Sequence, residues 1–100
     1  MTLEIIETEN EMKGILSGRL DTAASQQFSA DMQPLVEHAD KHIILDCTNL
    51  EFISSSGLRL FLTLRKASMA KKGEVTLLGM KPDVKQVFAL TGFLSMFKIA

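Results

Sequence analysis

Between two strongly apolar stretches the chain places three consecutive serines and a glycine: Phe52-Ile53-Ser54-Ser55-Ser56-Gly57-Leu58. Ile43-Ile44-Leu45 upstream has the continuous apolar character of a buried strand, and the residues from Leu58 onward carry a helical pattern. A strand, a short hydroxyl-rich turn and a helix therefore follow one another here. The serines are expected at a helix N-terminus, where unpaired backbone N–H groups and the macrodipole favour negative charge. A strand followed directly by a helix is the unit that an α/β fold repeats.

The rest of the chain agrees with that class. Leu3-Glu4-Ile5 alternates as a half-buried strand, Glu9-Asn10-Glu11 suits a reverse turn, and Ile15 to Leu20 can form a second strand, in which glycines at 14 and 18 either weaken the strand or mark bulges. Asp21 and Thr22 are good helix N-caps. Ala24, Phe28, Met32, Leu35, Val36 and Ala39 then recur at helical spacing, with Pro34 predicting a kink or a break near Gln33. His42 to Cys47 reads as a central strand covered on both faces, closed by Asp46 and a turn at Thr48-Asn49. The helix after Gly57 has an unusually wide apolar arc, with Arg59, Thr63 and Lys66 as its polar stripe and Gly73 as its C′ stop. A strand at Val75–Leu78, a short helix begun by Pro82 and ended by Gly92, and a last strand at Phe97-Lys98-Ile99 complete the order β-β-α-β-α-β-α-β. The expectation is a single α/β domain over residues 1–100, with a mixed sheet of four to five strands.

Composition excludes several functions. Eleven basic against twelve acidic residues leave a net charge of −1, with no clustered basic face for nucleic acid. Trp and Tyr are absent, so no base-stacking platform is visible. Cys47 is the only cysteine, which rules out an internal disulfide and a cysteine-rich metal site. No apolar run is long enough to span a bilayer, and the polar N-terminus is no signal peptide, so a cytoplasmic location without membrane insertion is expected. His38-Ala39-Asp40-Lys41-His42 straddles a helix end and a strand start and reads as a solvated connector rather than a metal site. A nucleophile elbow centred on Ser55 would need glycine where Ile53 stands, and both histidines precede the serine. No phosphate-binding Gly-x-x-x-x-Gly-Lys-Ser/Thr occurs. No catalytic residue, cofactor or metal is therefore expected.

One capping serine suffices for a helix start, and three leave a hydroxyl free for another use. A phosphate is tolerated at a helix N-terminus and would change the surface while leaving the fold intact.

The stretch Phe52 to Arg59, preceded by Ile44-Leu45-Asp46, resembles the signature of STAS domains, and especially of the anti-sigma factor antagonists. Gly18-Arg19-Leu20-Asp21 resembles the family's Gly-x-Leu-Asp segment. Leu77-Leu78-Gly79, Val84 to Phe88 and Thr91-Gly92-Phe93 fit its later part. The resemblance implies a non-enzymatic partner switch. The unmodified protein binds a serine-kinase anti-sigma factor, the kinase phosphorylates one serine of the loop, and a PP2C-like phosphatase restores it. In the family's Asp-Ser-Ser/Thr/Ala-Gly-Leu pattern the serine after the aspartate is modified, which corresponds to Ser55, with Ser54 and Ser56 as competing acceptors. Ser54 itself stands where the aspartate is usual. The partner surface is expected to comprise Asp21, Asp46, Ser54, Ser56, Gly57, Leu58, Arg59 and Thr63. The alternative is a STAS accessory subunit of a transporter or signalling complex, in which the loop is never modified.

Overall fold

A computed structural model describes residues 1–100. At its centre lies β3, His42–Ile53, flanked by β2 (Glu11–Leu20) on one side and β4 (Glu74–Leu78) on the other. β1 (Thr2–Glu7) and β5 (Lys98–Ile99) form the edges, giving the spatial order β1-β2-β3-β4-β5. β1 and β2 make an antiparallel hairpin; the other three pairings are parallel. Each parallel step crosses over through helix: α1 (Thr22–Asp31) and α2 (Gln33–Glu37), then α3 (Ser55–Ala70), then α4 (Pro82–Leu90) with a 3₁₀ turn at Leu94–Met96. With strands in sequential order, crossovers of the usual right hand place all helices on one face of the sheet.

Burial follows that layering. Met12, Leu16 and Leu20 of β2 and Ile43, Leu45 and Cys47 of β3 lie under the helices. Lys13, Ile15, His42 and Ile44 point the other way and stay half-exposed. The expectation that β3 is covered on both faces is thus corrected. Its continuous apolar run reflects a central position, but only one helical layer exists. Four phenylalanines join the layer together. Phe61 of α3 packs against Phe28 of α1 at 6.0 Å between ring centroids and against Phe88 of α4 at 5.7 Å, and Phe97 closes on Phe88 at 5.8 Å. These are the separations of favourable tilted and edge-on aromatic pairs.

Pro34 ends α1 and opens α2, standing in the first turn where its missing N–H costs nothing. Two local expectations change. Thr48-Asn49 makes no reversal: β3 continues to Ile53, and the register passes from Ile15↔Asp46 to Ser17↔Asn49 across a bulge. The turn chemistry is spent inside the strand, where the Asp46 carboxylate accepts from the Thr48 amide at 3.0 Å and the Thr48 hydroxyl at 2.7 Å. At the end of α3, Lys72 and not Gly73 takes the left-handed conformation (φ 60). The Gly73 amide reaches back to the Ser68 carbonyl at 2.7 Å, the outer bond of a Schellman cap. Gly73 is needed for a different reason: a Cβ there would sit 2.0 Å from the Ala39 carbonyl oxygen.

Candidate functional site: the serine turn

Neighbouring parallel strands β2 and β3 end together, Leu20 opposite Ile53, and each runs straight into a helix. The Ser54 amide donates to the Leu20 carbonyl at 2.8 Å, extending the ladder one residue past the strands. Both helix starts are capped by side chains. Asp21 Oδ1 accepts from the Ala24 amide at 2.8 Å, and Ser54 Oγ accepts from the Gly57 amide at 3.1 Å. Two helix N-termini therefore lie side by side at one end of the sheet.

This arrangement divides the three hydroxyls. Ser54 is half-buried and engaged as N-cap. Ser55, the first residue of α3, is exposed and its hydroxyl has no partner within the chain. Ser56 is half-buried and turned toward α1, where it lines a cleft of about 570 Å³ with Thr22, Gln26, Ser29 and Arg59. The turn can come this close to β2 only because residue 57 lacks a side chain. A Cβ there would meet Leu20 Cγ at 2.7 Å and Cδ2 at 2.8 Å. α3 has no acidic residue in its first turn, so no carboxylate of its own helix offsets its positive end.

Among the residues expected at the partner surface, Asp21, Ser54, Ser55, Ser56 and Arg59 gather at this end. Gly57 and Leu58 are buried and support the turn from below. Thr63 is exposed further along α3, with its hydroxyl donating to the Arg59 carbonyl at 3.0 Å. Asp46 stands apart. It lies on the helix-free face of the sheet beside Lys13 (3.9 Å), and from it to Ser54 the chain runs most of the length of β3. That is on the order of 25 Å at about 3.3 Å per residue. The Thr48 hydroxyl holds its carboxyl below the ordinary 3.8, helped by the Thr48 amide and Lys13 and opposed by partial burial. Asp46 is thus a bulge-stabilising residue.

Sequence reasoning passed over two residues beside the turn. Arg19 and Phe52 face each other across β2 and β3, with the guanidinium carbon 4.4 Å from the ring centroid. Phe52 is 37% exposed. The signal was available: Leu20 and Ile53 must point inward, so the residues immediately before them point outward.

The other candidates are elsewhere or inert. His42 reaches Glu11 through Nδ1 (3.8 Å) and Glu74 through Nε2 (4.0 Å), and Nε2 is 2.7 Å from the Thr76 hydroxyl. Its nearest acids lie on opposite sides of the ring and do not converge on one point, and no group of three metal-binding side chains occurs. Burial pushes the Cys47 thiol up to about 12, which leaves it protonated and unreactive. No helix is long and apolar enough to cross a membrane.

The geometry of a capped serine turn between two helix starts can be set against known proteins. The family model for the STAS domain matches residues 4–100. The chain belongs to the STAS domain family. BtrV of Bordetella bronchiseptica, a candidate anti-sigma factor antagonist, is 33% identical over 100 residues, covering 100% of this chain and 86% of that protein. The anti-sigma F factor antagonist of Paenibacillus polymyxa is 33% identical over 85 residues, covering 84% of this chain and 70% of the relative. The anti-sigma factor antagonist SpoIIAA, solved unphosphorylated, superposes with a TM-score of 0.81 at 26% identity, covering 99% of this STAS domain and 88% of SpoIIAA. Its phosphorylated form superposes with a TM-score of 0.74. The five-stranded mixed sheet with its helical layer is the STAS fold of SpoIIAA.

Proposed function

We propose that this STAS domain is an anti-sigma factor antagonist working by partner switching in the cytoplasm. Unmodified, it binds a serine-kinase anti-sigma factor through the serine turn and so releases a sigma factor. Phosphorylation of Ser55 by that kinase ends the binding, and a PP2C-like phosphatase restores it. The observation that carries this reading is the division of labour among the hydroxyls: Ser55 alone is both exposed and uncommitted. Phosphate on Ser54 would destroy the cap of α3, whereas phosphate on Ser55 adds about −1.5 to −2 charge at a position where the helix tolerates it.

The experiment is intact-mass measurement of the protein isolated from its own cells, with and without phosphatase, followed by peptide mapping. A phosphate on Ser55 that appears and disappears with growth state is the expected result. In parallel, Ser55→Asp should keep its melting temperature and lose binding to the cognate kinase; tight binding by Ser55→Asp would sink the switch. The alternative, an accessory subunit of a transporter or signalling complex, draws on Ser54 standing in place of the usual aspartate. Absence of phosphate under every growth condition would favour it.

A further inference from the structure

The Ser55 reading leaves open how a phosphate would be felt by a partner. The cleft between α1 and α3 bears on this. Beside the apolar Leu60 it is lined by hydroxyls and an amide, from Thr22, Gln26, Ser29 and Ser56, and by one charged side chain, Arg59; no acid contributes to it. Of the three arginines in the chain, Arg19 is stacked on Phe52 and Arg65 donates to the Met96 carbonyl. Arg59 is exposed, and its guanidinium enters neither an ion pair nor a hydrogen bond; only its backbone carbonyl is used, by Thr63. The cleft is thus an open, acid-free groove of mixed polar and apolar surface, with a single uncommitted guanidinium at its edge.

Arg59 also stands four residues after Ser55 on α3. Side chains at that spacing lie on one helix face about 5–6 Å apart at Cβ, and an anion N-terminal to a cation is the favourable order. A guanidinium binds phosphate oxygens in bidentate fashion. We propose that the α1–α3 cleft is where a carboxylate-bearing segment of the partner docks, and that Arg59 is the group a phosphate on Ser55 withdraws from it. The unmodified protein offers Arg59 to the partner's carboxylate. Once Ser55 carries phosphate, Arg59 is held within its own helix, at an effective concentration no separate carboxylate matches. The partner then loses its cation and meets a negative charge in the same place. This mechanism rests on Ser55 as acceptor, and its test is built so that the two can fail separately.

The test uses the full chain with serine or phosphoserine placed at position 55 during translation, each as wild type, Arg59→Gln and Arg59→Lys. The probe for the cleft is hexaglutamate, titrated into isotopically labelled protein and followed by amide and arginine Nε–H resonances. Expected are shifts centred on Thr22, Gln26, Ser29 and Arg59 in the unmodified protein, lost in Arg59→Gln, partly kept in Arg59→Lys, and abolished by the phosphate. Phosphorus resonance then reports the second ionisation of the phosphate, expected to be lower by about 0.3 pH unit or more with Arg59 than with Arg59→Gln. Hexaglutamate shifts confined to the exposed lysines 66, 72 and 85, or a phosphate ionisation indifferent to residue 59, would overturn the proposal. Neither readout needs the anti-sigma factor or its kinase. A cell-derived protein that never carries phosphate would defeat the Ser55 reading while leaving these titrations to decide the cleft and Arg59 by themselves.

Discussion

Gly57→Ala is the sharpest perturbation of the serine turn, because two effects of opposite sign can be weighed against each other. Replacing glycine by alanine inside a helix ordinarily stabilises by up to about 1 kcal/mol. Here the new Cβ would lie 2.7 Å from Leu20 Cγ, 2.8 Å from Leu20 Cδ2 and 3.2 Å from Ile53 Cγ1. Leu20 is 0% exposed and cannot swing away, so the start of α3 must back off from β2. Overpacking of this kind costs roughly 1–3 kcal/mol and outweighs the gain in propensity. The expected net loss is about 1–2 kcal/mol, or a melting temperature lower by roughly 4–15 °C for a domain of this size. The assay is thermal and urea unfolding of wild type, Gly57→Ala, Leu20→Ala and the double variant. If the clash is the cause, Gly57→Ala should be less costly in the Leu20→Ala background, where the atoms it strikes are gone. Additive losses, or a Gly57→Ala protein as stable as wild type, would refute the close-approach argument.

Other substitutions probe the neighbouring features. Ser54→Ala should lose about 1 kcal/mol with its cap, whereas Ser54→Asp keeps the cap and adds a favourable charge at the helix start, so its urea midpoint should equal or exceed that of wild type. Gly73→Ala drives a Cβ onto the Ala39 carbonyl, a backbone atom, and should lower the melting temperature more than Gly57→Ala does. Asp46 has a folded-state pKa below its ordinary value, so its stabilisation is full at neutral pH and fades as the pH falls through the folded value. Asp46→Asn should therefore be less stable than wild type at pH 7, and the gap should close on acidification below about pH 4. Cys47 should resist thiol reagents in the native protein and react only on unfolding, as quenched-flow labelling in rising urea would record.

Element order and type were legible because they rest on local periodicity and on punctuation by Asp21, Pro34, Gly57, Pro82 and Gly92. What escaped depended on tertiary context. Ile44 reads like Ile43 and Leu45, yet faces solvent because no helix crosses that side of the sheet. Asp46-Cys47-Thr48-Asn49 carries turn chemistry, but pairing with Ser17 outweighs it and converts the reversal into a bulge. That misreading is what drew Asp46 into the expected site: shortening β3 at Cys47 brings Asp46 near the serines, while the full strand puts it most of a strand length away. Phe52 was absorbed into the apolar lead-in, though the inward Ile53 requires it to point outward.

The paired helix starts bear on the serine that stands at residue 54 where the family's pattern has an aspartate. A cap at residue 54 must supply an oxygen to the Gly57 amide, and serine does so at 3.1 Å as an aspartate would. The adjacent start of α1 already has a carboxylate, Asp21, so the two capped ends carry one negative charge between them instead of two. For the fold, the exchange of aspartate for serine is close to neutral. For the surface it is not, because it leaves the N-terminus of α3 without an acid next to the exposed Ser55 hydroxyl. A phosphate arriving there meets less repulsion than it would beside an aspartate, and Arg59 has no competing carboxylate on its own helix. Ser54→Asp should therefore leave the fold unchanged and weaken the hold of Arg59 on a phosphate at Ser55, raising its second ionisation measured by phosphorus resonance. A Ser54→Asp protein whose phosphate ionises as in wild type would show that charge at residue 54 does not reach the acceptor.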